Sequence, residues 1–200
     1  MSLPGFIDRR ALLLGGLALA GCDRTADRPA FQGIDLTGVG YAQKLALTDH
    51  LGQPRSLADY KGKVLVVFFG YTQCPDVCPS TLGEIKLVKE QLGADGARVQ
   101  GLFVTVDPER DTQELLRAYI ANFGPDMAAL RGSAEQTQAV AKEFKVFFAK
   151  VPSKSGEGYT VDHTAASFLF DPQGRVRVFL RYGQGPQALA SDLKLLLAGA

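Results

Sequence analysis

Residues 64–79 read VLVVFFGYTQCPDVCP, and this stretch decides the fold. The apolar run at 64–69 predicts a strand that is buried on both faces. Residues 70–73 predict a turn, and Cys74 and Cys78 then fall in the expected first turn of a helix. Cysteines at this spacing project from one face of a helix, and a helix N-terminus stabilises thiolates. The pair therefore suits a soft-metal site as well as a disulfide.

The alternative for Cys74 and Cys78 is a buried pair with a purely structural role. Pro75, Pro79 and the polar residues before the first cysteine make this a poor core segment. A strand, a tight turn and cysteines at the start of a helix are how thioredoxin-like domains present thiols. The segment therefore favours thiols that react or bind metal.

The rest of the chain alternates predicted helices and strands. After the cysteines, Leu82, Ile85, Val88 and Leu92 keep helical spacing. The other predicted elements are an N-terminal hairpin (strand 44–49, turn 50–53), a buried strand at 99–106, a helix capped by Asp111 or Thr112, a helix capped by Ser133, a strand at 147–151, a loop at 154–158, a hairpin of strands 167–170 and 176–180, and a C-terminal helix containing 191–197. This order predicts an α/β fold of the thioredoxin-like type, with a central mixed sheet flanked by helices and an N-terminal hairpin.

Residues 1–21 predict a lipoprotein signal peptide. Two arginines precede an apolar run at 11–20, which is too short to span a bilayer but fits the apolar core of an export signal. The run ends in LAGC at 19–22, which resembles a bacterial lipobox, so Cys22 is the predicted lipidation site. The alternative is an ordinary signal peptide with a chance cysteine.

This leader sets the expected domain boundaries and compartment. Residues 22–40 are rich in polar residues, Gly and Pro, and are predicted to tether a domain at 41–200 to the membrane. We expect a lipid-anchored protein in the bacterial periplasm. With Cys22 lipidated, the three cysteines of the chain leave one pair for the domain. An oxidising compartment makes that pair prone to form a disulfide unless metal or a reductant holds it.

Length and charge exclude one class of partner. The chain has 200 residues, which fits one ordinary domain with a short leader. Its formal net charge is +1, and it carries no basic cluster. This charge pattern argues against nucleic acid as a partner.

Few other soft-metal ligands accompany the cysteines. The chain has two histidines, His50 and His163, and past the leader its methionine is Met127. His50 lies in the predicted hairpin turn, where we expect it to be exposed. His163 precedes the predicted strand at 167–170, and in a thioredoxin-like sheet that segment packs close to the cysteine turn. A histidine there can meet the two sulfurs, and the alternative is a loop histidine with no ligand role.

Three segments closely resemble the Sco/SenC family: VFFGYTQCPDVCP at 67–79, VDPERDT at 106–112 and VDHT at 161–164. Their order and spacing agree over about residues 35–198. Members of this family are membrane-tethered, thioredoxin-like copper proteins linked to assembly of the copper centre of cytochrome c oxidase. Many members use an uncleaved transmembrane helix, whereas this chain shows a lipobox.

The resemblance implies that copper is held by Cys74, Cys78 and His163, and this single set of soft donors predicts one copper per chain. The donor chemistry agrees, because thiolates favour Cu(I) and imidazole also accommodates Cu(II). Zinc fits the same donors, but structural zinc prefers four closed ligands. A site with three good donors can release its metal to a partner, as a metal carrier requires.

Two carboxylates are candidates for supporting the site. Asp162 could orient His163 by accepting a hydrogen bond from its ring, or it could be a solvated loop residue. Asp107 ends the second predicted strand on the same edge as the cysteines, if the two strands are parallel. It could shape the site, although capping the turn into the next helix is the interpretation that we favour.

Three functions use these residues. The first is a copper metallochaperone that serves cytochrome c oxidase, through the subunit that carries its binuclear copper centre, or another cuproprotein. The second is a thiol–disulfide oxidoreductase in which Cys74, the more exposed thiol, attacks and Cys78 resolves. The third is a copper or redox sensor. His163 discriminates between the first two, because disulfide exchange does not require it. Another copper chaperone or a thiol reductase would be a further partner.

Overall fold

The apolar run after residue 63 forms the central strand of a mixed β-sheet, and all seven of its residues are buried. The computed structural model describes residues 30–153 and 158–200. The predicted signal peptide, Cys22, the first part of the predicted tether and residues 154–157 of the predicted loop lie outside the described residues.

Ten strands and four α-helices are found in the described residues. The strands are β1 (Ile34–Asp35), β2 (Ala46–Asp49), β3 (Pro54–Ser56), β4 (Val64–Gly70), β5 (Val99–Thr105), β6 (Met127–Arg131), β7 (Phe148–Pro152), β8 (Tyr159–His163), β9 (Ala166–Phe170) and β10 (Val176–Arg181). The α-helices are α1 (Val77–Gln91), α2 (Gln113–Ile120), α3 (Ala134–Glu143) and α4 (Gly185–Leu197), and short 3₁₀ helices span Leu57–Tyr60, Gly93–Arg98 and Ala121–Phe123. Among the described residues, none of the helices combines the length and the hydropathy that a membrane span requires.

Eight strands form the main sheet in the order β1-β10-β9-β4-β5-β6-β2-β3. β4 runs parallel to β5 and antiparallel to β9, so the sheet is mixed. The predicted N-terminal hairpin is formed by β2 and β3 at one edge. Because β4 and β5 are parallel, the segments that follow them leave the sheet at the same end of the strands. The cysteines follow β4 at that end.

Two of the helices have caps that the sequence predicts, and for α2 the structure decides between Asp111 and Thr112. The Thr112 hydroxyl accepts a hydrogen bond from the backbone N–H of Leu115, so Thr112 rather than Asp111 caps α2. Ser133 caps α3, as predicted, by accepting from the backbone N–H of Gln136. These bonds satisfy backbone donors that the first turn of a helix leaves free.

Part of the predicted tether belongs to the folded domain. β1 pairs with β10, and Leu36 is buried beside it. The backbone N–H groups of Gln32 and Gly33 donate to the buried Asp192 carboxylate of α4, at 2.7 and 2.9 Å. Residues 30–40 therefore do not act as a free spacer, because a strand pairing and a buried carboxylate hold them on the domain.

β1, β6 and β8 were not predicted, and β7 lies in an unexpected setting. β6 has no strand-like alternation in its sequence, Met-Ala-Ala-Leu-Arg, and was not predicted. β7 was predicted, but it pairs with β8 in a separate two-stranded sheet. This β7–β8 hairpin ends at His163 and carries that residue towards the cysteines.

Candidate metal centre

Cys74 and Cys78 occupy different backbone settings. α1 begins at Val77, so Cys78 lies in its first turn, whereas Cys74 lies in the preceding loop. The expectation that both cysteines share the first helical turn is wrong. The residue before a proline is disfavoured in helical conformation, and Pro75 follows Cys74 directly. A turn places Cys74 instead, with its backbone N–H donating to the Tyr71 carbonyl at 3.2 Å.

The two thiols differ in access to solvent. Cys78 is fully buried, and Cys74 is half-buried; both are free thiols in this structure. The prediction that Cys74 is the more exposed thiol is therefore confirmed. Burial raises the pKa of the Cys78 thiol far above its usual value, although the Tyr71 backbone N–H opposes the shift. A bound metal ion would stabilise the deprotonated Cys78 thiolate.

Gly70 makes room for the buried sulfur, and sequence reasoning missed it. A Cβ atom on Gly70 would lie 2.6 Å from Cys78 Sγ and 2.8 Å from Cε2 of Phe103. Real Cβ atoms do not approach other atoms so closely, so an alanine there would have to displace the thiol or the ring. The glycine immediately before a cysteine turn is the signal that could have drawn attention to it.

His163 reaches the cysteines from a separate element, the strand β8. It stands at the end of β8, where it pairs with Phe148 of β7. Its Nε2 atom lies 3.6 Å from Cys78 Sγ. The ring is enclosed by Phe68 and Tyr71, which it meets edge-on with ring centroids 5.9 and 6.1 Å away. These aromatic walls limit how far the imidazole can turn.

The opposite ring nitrogen of His163 is held by the backbone. Nδ1 lies 3.2 Å from the Thr164 carbonyl oxygen, and a carbonyl only accepts hydrogen bonds, so Nδ1 carries the hydrogen. This tautomer leaves the Nε2 lone pair facing the sulfur, as a metal ligand requires. Burial lowers the pKa of His163 and favours this neutral form, although the Thr164 carbonyl and the charge of Asp162 oppose the shift.

Asp162 does not orient the ring through a hydrogen bond in this structure. Its side chain is exposed, because side chains alternate along β8 and both Val161 and His163 face inward. The Thr164 carbonyl takes the place that was expected for the carboxylate. Asp162 acts on His163 only through its charge.

The donor atoms of Cys74, Cys78 and His163 all lie within 4.8 Å of one another. Two thiolates bound to one metal at about 2.3 Å, as in zinc sites, stand roughly 4 Å apart. The three donors therefore fit a single soft ion with small adjustments. Within residues 30–153 and 158–200, this is the one group of at least three His, Cys, Asp or Glu side chains placed to hold a metal.

The two other soft candidates lie elsewhere. Met127 is buried against Gly101, where an added Cβ would clash with the Met127 sulfur. His50 is half-buried rather than exposed, so that expectation is wrong. The His50 ring is drawn onto β6 because its Nδ1 accepts a hydrogen bond from the Ala129 N–H at 3.3 Å.

Asp107 stabilises the turn after β5 and binds residues that lie beside the donors. Its carbonyl accepts hydrogen bonds from the backbone N–H groups of Arg110 and Asp111, at 3.2 and 3.0 Å. Its buried carboxylate pairs with Arg110 and accepts a hydrogen bond from the Tyr159 hydroxyl at 2.9 Å. Asp107 therefore does not touch the donor atoms through any hydrogen bond found here, but it contacts residues around them.

Asp111 anchors the cysteine turn, a role that sequence reasoning missed. Its buried carboxylate accepts from the Thr72 N–H at 3.1 Å, the Thr72 hydroxyl at 2.6 Å and the Thr105 hydroxyl at 2.5 Å. Burial raises the pKa of Asp111, while these hydrogen bonds oppose the shift. The bonds tie the loop that bears Cys74 to the end of β5.

Comparison with known proteins identifies the family. The family model described as SCO1/SenC matches residues 39–198. The chain belongs to the SCO1/SenC family. Over 131 residues it is 40% identical to the mitochondrial SCO2 homolog of Bos taurus, covering 64% of this chain and 49% of that protein. The chain thus spans about half the length of such curated SCO2 relatives.

Solved structures of SCO1/SenC proteins share the fold. ScoI of Bradyrhizobium japonicum, solved with copper bound, is 40% identical, with a TM-score of 0.68 over 76% of this chain and 96% of that one. A SCO1/SenC family lipoprotein of Bacillus anthracis is 25% identical, with a TM-score of 0.67 over 84% of this chain and 99% of that one. The predicted fold, a thioredoxin-like mixed sheet flanked by helices, is confirmed.

Proposed function

We propose that this chain is a copper metallochaperone that delivers copper to, or prepares, the copper centre of cytochrome c oxidase. The observation that carries the proposal is the meeting of Cys74, Cys78 and His163 within 4.8 Å. The relative from Bradyrhizobium japonicum, whose structure contains copper, supports copper as the metal. The oxidase as target rests on membership of the SCO1/SenC family, and another cuproprotein could take its place.

The geometry suggests how this chain would hold and release its cargo. Cys78 supplies a buried sulfur donor and His163 a half-buried nitrogen donor, which together shield one side of the ion from water. Cys74 supplies the more accessible thiolate. A thiol of the target can replace Cys74 first, because that ligand faces the solvent. Two thiolate sulfurs favour Cu(I), and the imidazole nitrogen also accommodates Cu(II).

The second candidate function is a thiol–disulfide oxidoreductase, which the difference in exposure between the two cysteines favours. The Cys74 thiolate would attack a disulfide of the target, forming a mixed disulfide and releasing one target thiol. Cys78, after losing its proton, would attack the Cys74 sulfur and release the second thiol. The target gains two electrons and two protons, and the chain is left with a Cys74–Cys78 disulfide.

Replacing His163 in cells separates the two functions. His163→Ala removes a donor and keeps both thiols, so we expect loss of oxidase assembly with retention of most activity towards a small disulfide. Cytochrome c oxidase activity in cells that carry the variant as their sole copy measures the first, and reduction of a small aromatic disulfide measures the second. If assembly survives His163→Ala but is abolished by Cys74→Ser, thiol chemistry is the essential work and the metallochaperone proposal fails.

Attachment to the membrane is part of the proposal. The lipobox-like residues 19–22 and the relative described as a lipoprotein support a lipid anchor at Cys22, on the periplasmic side of a bacterial membrane. Cys22→Ala should release the domain from membranes or block processing of the leader. Fractionation of cells followed by immunoblotting measures this. A Cys22→Ala protein that is processed normally and stays wholly with the membrane would contradict it.

A further inference from the structure

We propose that Arg110 is a positioning residue. It holds the β7–β8 hairpin, and with it His163, against the cysteine loop, which is the segment 71–76 that bears Cys74. The proposal rests on the proposed function only in treating His163 as a metal donor. Arg110 itself is not among the donors, and its guanidinium acts through the residues that it contacts.

Arg110 binds the start of β8 through contacts with Tyr159. Its Nη1 donates to the Tyr159 carbonyl at 2.9 Å, and its guanidinium carbon lies 3.7 Å from the centroid of the Tyr159 ring. Its Nε pairs with Asp107, whose other oxygen accepts from the Tyr159 hydroxyl at 2.9 Å. Tyr159 is therefore fixed at its backbone, its ring face and its hydroxyl. β8 runs directly from this residue to His163.

The same guanidinium reaches the loop of the cysteines. Nη1 also donates to Oε1 of Gln73, the residue before Cys74, at 3.0 Å. The guanidinium lies 5.7 Å from the centroid of the Tyr71 ring, and that ring meets the imidazole of His163 edge-on. Arg110 thus joins the loop that carries one sulfur to the hairpin that carries the nitrogen donor.

The fork of an arginine suits this position, and lysine would not replace it. One planar group makes directed bonds to Asp107, Gln73 and Tyr159 while it stacks on an aromatic face. A lysine has a compact charge without the fork, so it keeps the charge beside Asp107 and loses the directed set of bonds. A second contact of the hairpin, the Lys150–Glu109 pair at 2.6 Å, is exposed. Exposed pairs contribute little, so of these two charged contacts we assign the positioning to Arg110.

The first readout needs no metal. In the reduced, metal-free full chain, two-dimensional NMR should show nuclear Overhauser contacts between the ring protons of His163 and Tyr71, whose centroids are 6.1 Å apart. We expect Arg110→Lys to weaken these contacts strongly while the rest of the spectrum stays that of a folded protein. Arg98→Lys is the control, because Arg98 forms an exposed pair with Asp95.

The second readout is copper. Residues that orient a metal ligand commonly contribute 10- to 100-fold to affinity, so Arg110→Lys should bind Cu(I) about tenfold more weakly, and its Cu(II) form should show weaker nitrogen coupling in electron paramagnetic resonance. Arg98→Lys should match the unaltered chain in both. Gln73→Ala, which cuts only the bond to the cysteine loop and leaves the Asp107 pair intact, should move both readouts in the same direction by less.

The outcomes separate this proposal from the proposed function. Unchanged ring contacts in a folded Arg110→Lys chain overturn the positioning role, as does a loss of copper affinity with full nitrogen coupling. If Arg110→Lys does not fold, Gln73→Ala decides by the same criteria. If the ring contacts are lost in Arg110→Lys but the unaltered chain does not bind copper, the positioning role stands and the proposed function fails.

Discussion

Replacing His163 by alanine is expected to weaken copper binding by the reduced chain by about 10- to 100-fold or more. The variant removes the one nitrogen among three donors that lie within 4.8 Å of one another. It leaves Cys74 and Cys78 in place, because the turn that bears them is held by Asp111 and by α1. Anaerobic competition titration against a Cu(I) chelator measures the affinity.

The chain offers two matched controls for this variant. His50→Ala removes the other histidine, which is bonded to Ala129 far from the donors. Asp162→Ala removes the exposed carboxylate beside His163 and leaves the Thr164 carbonyl to orient the ring. Both should keep affinity within a few-fold of the unaltered chain. Equal copper affinity in His163→Ala and His50→Ala would mean that the imidazole is not a ligand.

Replacing Gly70 by alanine is expected to destabilise the domain and disturb the site together. The new methyl group would lie 2.6 Å from Cys78 Sγ and 2.8 Å from the Phe103 ring, inside the core. Overpacking of this kind costs about 1–3 kcal/mol of unfolding free energy. Because the sulfur is one of the clashing atoms, copper affinity should fall as well. Urea denaturation and the same copper titration measure the two effects.

Gly83→Ala is the control for backbone effects. Gly83 lies within α1, and a Cβ there would meet no atom within 4 Å apart from the neighbouring backbone of the helix itself. Alanine stabilises a helix interior relative to glycine by roughly 0.5–1 kcal/mol. We therefore expect Gly83→Ala to be neutral or stabilising and to bind copper normally. If Gly70→Ala behaves like Gly83→Ala, then Cys78 does not depend on the space that the glycine leaves.

The elements that sequence reasoning predicted well carry strong local signals. β4 reads as an unbroken apolar run, and α1 keeps its apolar residues at helical spacing. Thr112 and Ser133 sit where capping side chains are expected. The spacing of the two cysteines and the prolines that follow them indicate a metal or redox site. His163 was placed by its position before β9 and by resemblance to a family, since a lone histidine has no local pattern.

The features that sequence reasoning missed depend on residues that are distant in the chain. Residues 30–40 read as a polar spacer, but the Asp192 carboxylate, some 160 residues later, holds them on the domain. The positions of Arg110 and Asp111 are clear only when β8 and the cysteine loop are seen beside them. The position of His50 in a predicted hairpin turn indicates exposure, but its partner, the Ala129 N–H, belongs to a strand that the sequence pattern does not show.

The central claim is that the reduced cysteine pair and His163 form one copper site. Anaerobic reconstitution of the reduced chain with Cu(I), followed by metal analysis, tests it most directly. The account predicts one copper per chain when Cys74 and Cys78 are reduced, and little or none after they are oxidised to a disulfide. Two or more tightly held coppers per chain, or binding that is unchanged by oxidation of the pair, would contradict it.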